Sequence, residues 1–342
     1  MKALFIGGTG TISTDVSKLA IEKGWELYLI NRGMRSTEFS NHPSVRELHM
    51  DIHDETMVLE KIKDMSFDVV ADFIAFTPEH LMRDYRLFAG RTKQFIFISS
   101  ASAYQKPLSD YRITEGTPLT NPYWQYSRDK IACEEYLMKQ YRSKNSPVTI
   151  VRPSHTYDEK SVPLGVHGDK GSWQVINRML QGKPVIIHGD GSSLWTMTHS
   201  SDFAKGFVGL MGNIHAMGEA VQITSDETLT WNQIYKAIAN ALHVTLQPYY
   251  VSSDFLTQCS TYDYEGSLIG DKAASVVFSN DKLKRLVPEF VATKRFDQGI
   301  SETLEYILAH KEYQIEDPEF DTWCDKVIGA LEKAKKEIKG QS

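Results

Sequence analysis

The sequence predicts an α/β protein, a doubly wound parallel sheet followed by a smaller C-terminal α/β lobe. Three observations predict it. Apolar runs of strand length alternate with helical stretches up to Arg152, the pattern of a parallel sheet covered on both faces. A glycine-rich turn, Gly7-Gly8-Thr9-Gly10, directly follows the first apolar run. Past Arg152-Pro153 the alternation loosens into loop-rich sequence and separate helical stretches.

Taken in order, Ala3 to Ile6 reads as a buried strand and Thr11 to Lys23 as a helix stopping near Gly24. Glu26 to Ile30 is a second strand; Phe67 to Phe76, Gln94 to Ser99 and Val148 to Arg152 are further apolar runs of strand length. Between them Glu55 to Lys63, Glu79 to Phe88 and Tyr126 to Tyr141 carry helical patterns. Residues 161–172, rich in Gly, Pro and His, form a loop. Trp173 to Leu180 is helical, Pro184 to His188 a short strand, and Ala220 to Thr224 a strand returning to the main sheet. Trp231 to Leu242 and Phe296 to His310 are helices, and Trp323 to Lys339 is a basic amphipathic helix that caps the lobe.

A glycine-rich strand-turn-helix lets backbone approach a pyrophosphate while the helix N–H groups face the anion. Gly7, Gly8, Thr9, Gly10, Thr11 and Ile12 are therefore expected to cradle a dinucleotide, with small Ser13 at the usual third glycine position. Where the second strand ends, an NAD site commonly offers an acid to the ribose hydroxyls. This chain offers Asn31, Arg32 and, past Gly33 and Met34, Arg35. A guanidinium suits a 2′-phosphate, so NADP is favoured over NAD. Asp51 and Ile52 fall where the adenine is expected. The ends of later strands add Phe73, Ala75 and Ser99 to the expected cofactor contacts.

Tyr126 and Lys130 lie four apart and share a helix face. A free phenol, with a pKa of about 10, is a poor base at neutral pH. A neighbouring ammonium favours its ionised form and fits it for acid–base work. The serine-rich strand end, Ser99-Ser100-Ala101-Ser102-Ala103-Tyr104, offers hydroxyls to the same crevice.

The glycine loop, the Ile98-to-Tyr104 strand end, the Tyr126-to-Lys130 motif and the Arg152-to-Tyr157 segment resemble the extended short-chain dehydrogenase/reductases, the NAD-dependent epimerase/dehydratase family, over about the first 230 residues. The resemblance implies a Rossmann-type fold with Tyr126 and Lys130 catalytic. Lys130 also holds the nicotinamide ribose. By the same resemblance Ser100 is the expected catalytic hydroxyl, with Ser102 the runner-up. Pro153, Ser154 and His155 line the nicotinamide pocket, and Ser102, Tyr104 and Trp195 face the substrate. It also implies a dinucleotide-binding domain over 1–155, with 189–226 returning to it, and a substrate lobe from 156–188 and 227–342. A homodimer is the expected assembly.

The chain departs from the family pattern at the substrate clamp. After Gly189-Asp190-Gly191, nucleotide-sugar enzymes place an arginine where this sequence has Trp195. A tryptophan stacks on rings but does not neutralise a diphosphate; Arg178 is the available substitute. Gln105 and Asp158 replace glycines that follow family tyrosines.

Composition bounds the alternatives. Of 342 residues, 41% are hydrophobic and 24% charged, as in an ordinary globular protein, and the net charge of -6 argues against nucleic-acid or membrane partners. Cys133, Cys259 and Cys324 form no ligand spacing, so no metal is expected and a reducing, cytoplasmic setting is. The expected function is hydride transfer at a hydroxyl or carbonyl carbon of a sugar-like or other small substrate. The alternative is a regulatory or RNA-associated protein of the same fold with little turnover.

Overall fold

The computed structural model describes residues 1–33 and 38–340. Arg35, one of the two expected 2′-phosphate contacts, lies outside the described residues. The chain divides into two compact units: Met1–Thr156 with Thr198–Asp226 and Phe278–Lys294, and Tyr157–Met197 with Glu227–Val277 and Arg295–Ser342.

The first unit is built on seven parallel strands. β1 (Lys2–Ile6), β2 (Glu26–Asn31), β3 (Val45–His49), β4 (Val69–Asp72) and β5 (Phe95–Ile98) are joined by the strands Val148–Pro153 and Ala220–Ile223. From one edge the order is Ala220–Ile223, Val148–Pro153, β5, β4, β1, β2, β3. Every neighbouring pair is parallel. Strand periodicity sorts the side chains into two cores. Ala3, Phe5, Leu27, Leu29, Val69, Ala71, Ile96 and Ile98 meet α1 (Ser13–Glu22) and the helix Ser200–Leu210 through Val16, Ala20, Phe203 and Phe207. Leu4, Ile6, Tyr28, Ile30, Val70, Phe95 and Phe97 pack with α2 (Glu55–Ile62), α3 (Pro78–Phe88) and α4 (Gln125–Lys144) through Ile62, Leu81 and Leu137. Each fully buried side chain of this size stabilises by about 1.5–3 kcal/mol.

β3 and the Ser200–Leu210 helix are among the elements that carried no apolar run in the sequence. β3 is a sheet edge with only Leu48 buried, so polar residues suffice along it. The Ser200–Leu210 helix begins under a cap from His199, and the i, i+4 spacing of Phe203 and Phe207 was its available signal.

In the second unit Val185–His188 pairs in parallel with Pro248–Val251, and Leu194–Trp195 pairs antiparallel with Leu229–Thr230. The second pairing draws residues 189–197 into this unit. Conversely, Leu283, Val287 and Phe290 join the core of the first unit, which draws in residues 278–294. The last helix runs Pro318–Ile338, five residues earlier than Trp323, because Asp317 caps it through the Phe320 N–H and Pro318 opens its first turn. Among the described residues no helix is long and apolar enough to cross a membrane.

Candidate active site

The glycine turn is shaped by close packing. Gly7 has φ +81°, and a Cβ there would collide with Ile74. A Cβ on Gly8 would strike Leu29, so Gly8 serves contact between loop and sheet. Hydroxyls then staple the loop to its helix. Ser13 Oγ donates to Gly7 O (2.7 Å) and accepts the Gly10 N–H (2.8 Å), and Ser17 Oγ donates to Gly8 O (2.8 Å). Position 13 thus tolerates serine because its oxygen closes the turn. Ile12 stands at the helix N-cap without a side-chain cap, so the first-turn N–H groups of α1 are not used by a capping side chain.

A cleft of about 890 Å³ opens beside this turn. Gly7, Thr9, Asn31, Arg32, Asp51 and Ile52 all line it, with Ile74 and Phe76. Asn31 Oδ1 accepts from the Gly33 N–H and bonds His49 Nδ1, both at 2.9 Å, while the buried Asn31 Nδ2 finds no acceptor among the described residues. An unsatisfied amide donor and an exposed guanidinium in one cleft fit a ribose and a phosphate. Asp51 accepts from His53 N–H and Nδ1, and those bonds hold its carboxyl below its ordinary value.

Lys130 is buried on α4. Its Nζ donates to Ala75 O (2.7 Å) and Ile98 O (2.8 Å), and stands 5.6 Å from the Tyr126 ring centroid, 5.1 Å from Phe76 and 4.8 Å from Phe97. Both hydrogen-bond partners are neutral. Burial pulls its pKa down from 10.5 to about 8, against the opposing influence of Asp72. Tyr126 is half-buried, with Trp124 against it at 5.0 Å.

Next to Tyr126, a chain of hydroxyls crosses from α4 to the end of β5. Ser127 Oγ donates to Ser102 Oγ (2.8 Å), Ser102 and Ser100 share a bond of 2.9 Å, and Ser100 Oγ accepts the Ser102 N–H (3.1 Å). Ser154 Oγ bonds Thr198 Oγ1 at 2.9 Å, Pro153 is buried at its strand end, and His155 is half-buried.

Other expected contacts are used elsewhere. Tyr104 is 1% exposed; its hydroxyl donates to Gln222 and Arg152 lies over its ring at 4.9 Å. Phe73 turns into the core against Phe5 and Phe207. Ser99 donates to Glu134, which is locked in a buried bidentate pair with Arg152. Trp195 is 2% exposed and stacks on Trp231 within the second unit. Arg178 does not stand free for a diphosphate, because it is bound to Asp321 (2.6 Å), Asp325 (2.8 Å) and Pro184 O. Each of these side chains already has a partner inside its own unit: rings for Phe73 and Trp195, Gln222 and Arg152 for Tyr104, carboxylates for Ser99 and Arg178. Cys133 is likewise a packing residue, its thiol pushed up to about 12 by burial. No group of three or more metal-ligating side chains occurs among the described residues.

A sequence profile of the NAD-dependent epimerase/dehydratase family matches residues 3–224. The chain belongs to that family. It is 22% identical over 309 residues to 2′-dehydrokanamycin reductase of Streptomyces kanamyceticus, spanning 85% of this chain and 80% of that protein. Among solved structures it is similar to an epimerase from Methanothermobacter thermautotrophicus (TM-score 0.73, 17% identity, 91% and 93% of the two chains). It is also similar to dTDP-glucose 4,6-dehydratase from Bacillus anthracis in complex with NAD (TM-score 0.70, 19% identity, 92% and 98%). These likenesses establish the Rossmann-type fold expected of the family, whose members are named as epimerases, dehydratases and reductases.

Proposed function

We propose that this family member is an NAD(P)-dependent oxidoreductase acting at a hydroxyl or carbonyl carbon of a sugar-like small molecule. The observation that carries the reading is Lys130: a buried ammonium held by two neutral carbonyls beneath the face of Tyr126. Such a charge favours the phenolate, so Tyr126 takes the proton of a substrate hydroxyl, or returns it to a carbonyl oxygen. When bound, the nicotinamide supplies the hydride acceptor or donor for that carbon.

The hydroxyl chain supports Ser100 as the orienting group. Ser102 accepts from Ser127 and shares with Ser100 a bond that either hydroxyl can donate, and the Ser100 oxygen also takes the Ser102 N–H. With Ser102 as the donor, both acceptor positions of Ser100 are filled and its hydrogen is left for a substrate oxygen. Oxidation, epimerisation and dehydration share this step.

The substrate reading follows from Trp195 and Arg178. With tryptophan at the clamp position and Arg178 bound to two aspartates, the family's cation for a diphosphate has no counterpart there. A sugar-like substrate without a nucleotide diphosphate fits, and the kanamycin-derived ketone named for one relative belongs to that class.

At the adenosine end, Arg32 lines the cleft and Asn31 stands where an acid selects NAD. This supports NADP, although NAD is the cofactor named with the family and with the dehydratase structure. Calorimetry with NADP(H) and NAD(H) tests both parts of the reading. NADP(H) is expected to bind more tightly, with Arg32→Ala weakening it about tenfold and leaving NAD(H) unchanged. Equal loss for both removes Arg32 from cofactor selection; no binding of either removes the enzyme reading.

A further inference from the structure

Lys130 leans on the Ala75 carbonyl, and the residue that holds Ala75 is Asp72. Asp72 ends β4 and is fully buried. Its Oδ1 accepts the N–H groups of Ile74 and Ala75, both at 3.0 Å. Those two bonds set the turn that aims the Ala75 carbonyl at Lys130 and lays Ile74 against Gly7. The other oxygen, Oδ2, is buried without an N–H or O–H donor among the described residues. Its neighbour is a second fully buried carboxyl, Asp84 of α3, which Arg83 grips through bonds of 2.7 and 3.0 Å.

A carboxylate oxygen buried with no donor is costly, and a like charge beside it adds to the cost. One proton on Asp72, donated to Asp84, removes both penalties. Asp84 keeps its charge opposite Arg83.

We propose that Asp72 is a positioning residue: as the neutral, proton-carrying member of a carboxyl pair with Asp84, it fixes the turn that anchors Lys130 beneath Tyr126 and walls the cofactor cleft. The role deepens the reading of Lys130 given above and rests on it. Burial, then the Asp84 charge, drives the Asp72 carboxyl well above the ordinary range, and the Ile74 and Ala75 N–H groups only partly oppose this. The groups facing the pair are Arg83 and His80 of α3, with Lys130 and Cys133 of α4 on the Asp72 side. Those facing Lys130 are Asp72, the rings of Phe76, Phe97 and Tyr126, and Cys133 and Glu134 on its own helix.

The test is a pH titration of the Lys130 side chain by ¹³Cε-lysine NMR, assigned with Lys130→Arg. It is run on wild type, Asp72→Asn and Asp72→Ala, each also assayed for NADH and NADPH binding by fluorescence. Asparagine keeps the acceptor for both N–H groups and offers its own N–H to Asp84. Asp72→Asn is therefore expected to keep the Lys130 midpoint within about 0.3 of wild type and dinucleotide affinity within about twofold. Asp72→Ala is expected to raise the midpoint by about 1 or more as the turn opens Lys130 to water, and to weaken binding about tenfold. If Asp72 were instead an ionised partner of Lys130, asparagine would drop the midpoint by about 1–3, and that result overturns the proposal. An unchanged Asp72→Ala overturns it too; if that variant does not fold, Asp72→Asn decides alone. A wild-type protein that binds neither dinucleotide sinks the oxidoreductase reading, while the lysine titration still judges Asp72.

Discussion

Lys130 in the first unit and Arg178 in the second are both buried cations, 2% and 1% exposed. Their partners make them opposites. Lys130 meets two peptide carbonyls and three rings, while Arg178 meets the carboxylates of Asp321 and Asp325. Burial outweighs the nearby Asp72 and Glu134 carboxyls and leaves Lys130 easy to deprotonate, at about 8. At Arg178 the two aspartates outweigh burial and its value rises. Full pairing makes a cation a strut. Burial among neutral dipoles leaves its charge available to a neighbour such as Tyr126.

The comparison is broken most severely by Tyr126→Phe, which leaves Lys130 with nothing to act on. Turnover should fall at least about 10²–10⁴-fold while calorimetry finds dinucleotide affinity nearly intact. Unchanged turnover would remove Tyr126 from the chemistry.

A paired substitution sharpens the contrast. Lys130→Met should cost a similar factor in turnover and leave the melting temperature unchanged or higher, because a buried unpaired charge is replaced by an apolar chain. Arg178→Met should do the reverse. Turnover stays, and stability drops by about 2 kcal/mol, less than for a fully enclosed pair because Asp325 is half exposed. If both variants behaved alike, the distinction between site and strut would fail.

The smallest effect lies in pH. Turnover should decline above about pH 8 as the Lys130 ammonium is lost, and Lys130→Arg should move that limb upward. Stability carries the opposite trend. Between about 8 and 10.5 the folded chain binds fewer protons at Lys130 than the unfolded chain, so this residue's contribution to stability rises with pH. Denaturant melts across that window should show a rise in wild type that Lys130→Met flattens.

Much of the first unit was legible because its signals are local. The strands from Ala3 to Ile6 and from Gln94 to Ser99 are apolar on both faces, and the glycine turn and the i, i+4 pair need only their own neighbours to be read. The Arg32, Asn31 and Asp51 positions follow from strand ends, and they do line one cleft. Tyr104, Trp195 and Arg178 were misread because a residue type states what a side chain is able to bind, whereas packing decides whether it is reachable. Asp72 and Asp84 gave no signal at all: acids at a strand end and on a helix resemble surface charges until the sheet and helix close over them.

Periodicity and turn chemistry alone thus determined the alternating sheet, the glycine turn before α1 and the i, i+4 placement of Tyr126 and Lys130 on one helix. Only the tertiary structure decided which charges lose water and which keep a partner. That is why the neutral carbonyls around Lys130, the aspartates around Arg178 and the proton between Asp72 and Asp84 could not be read along the chain: solvation is a property of the residues that surround a group in space.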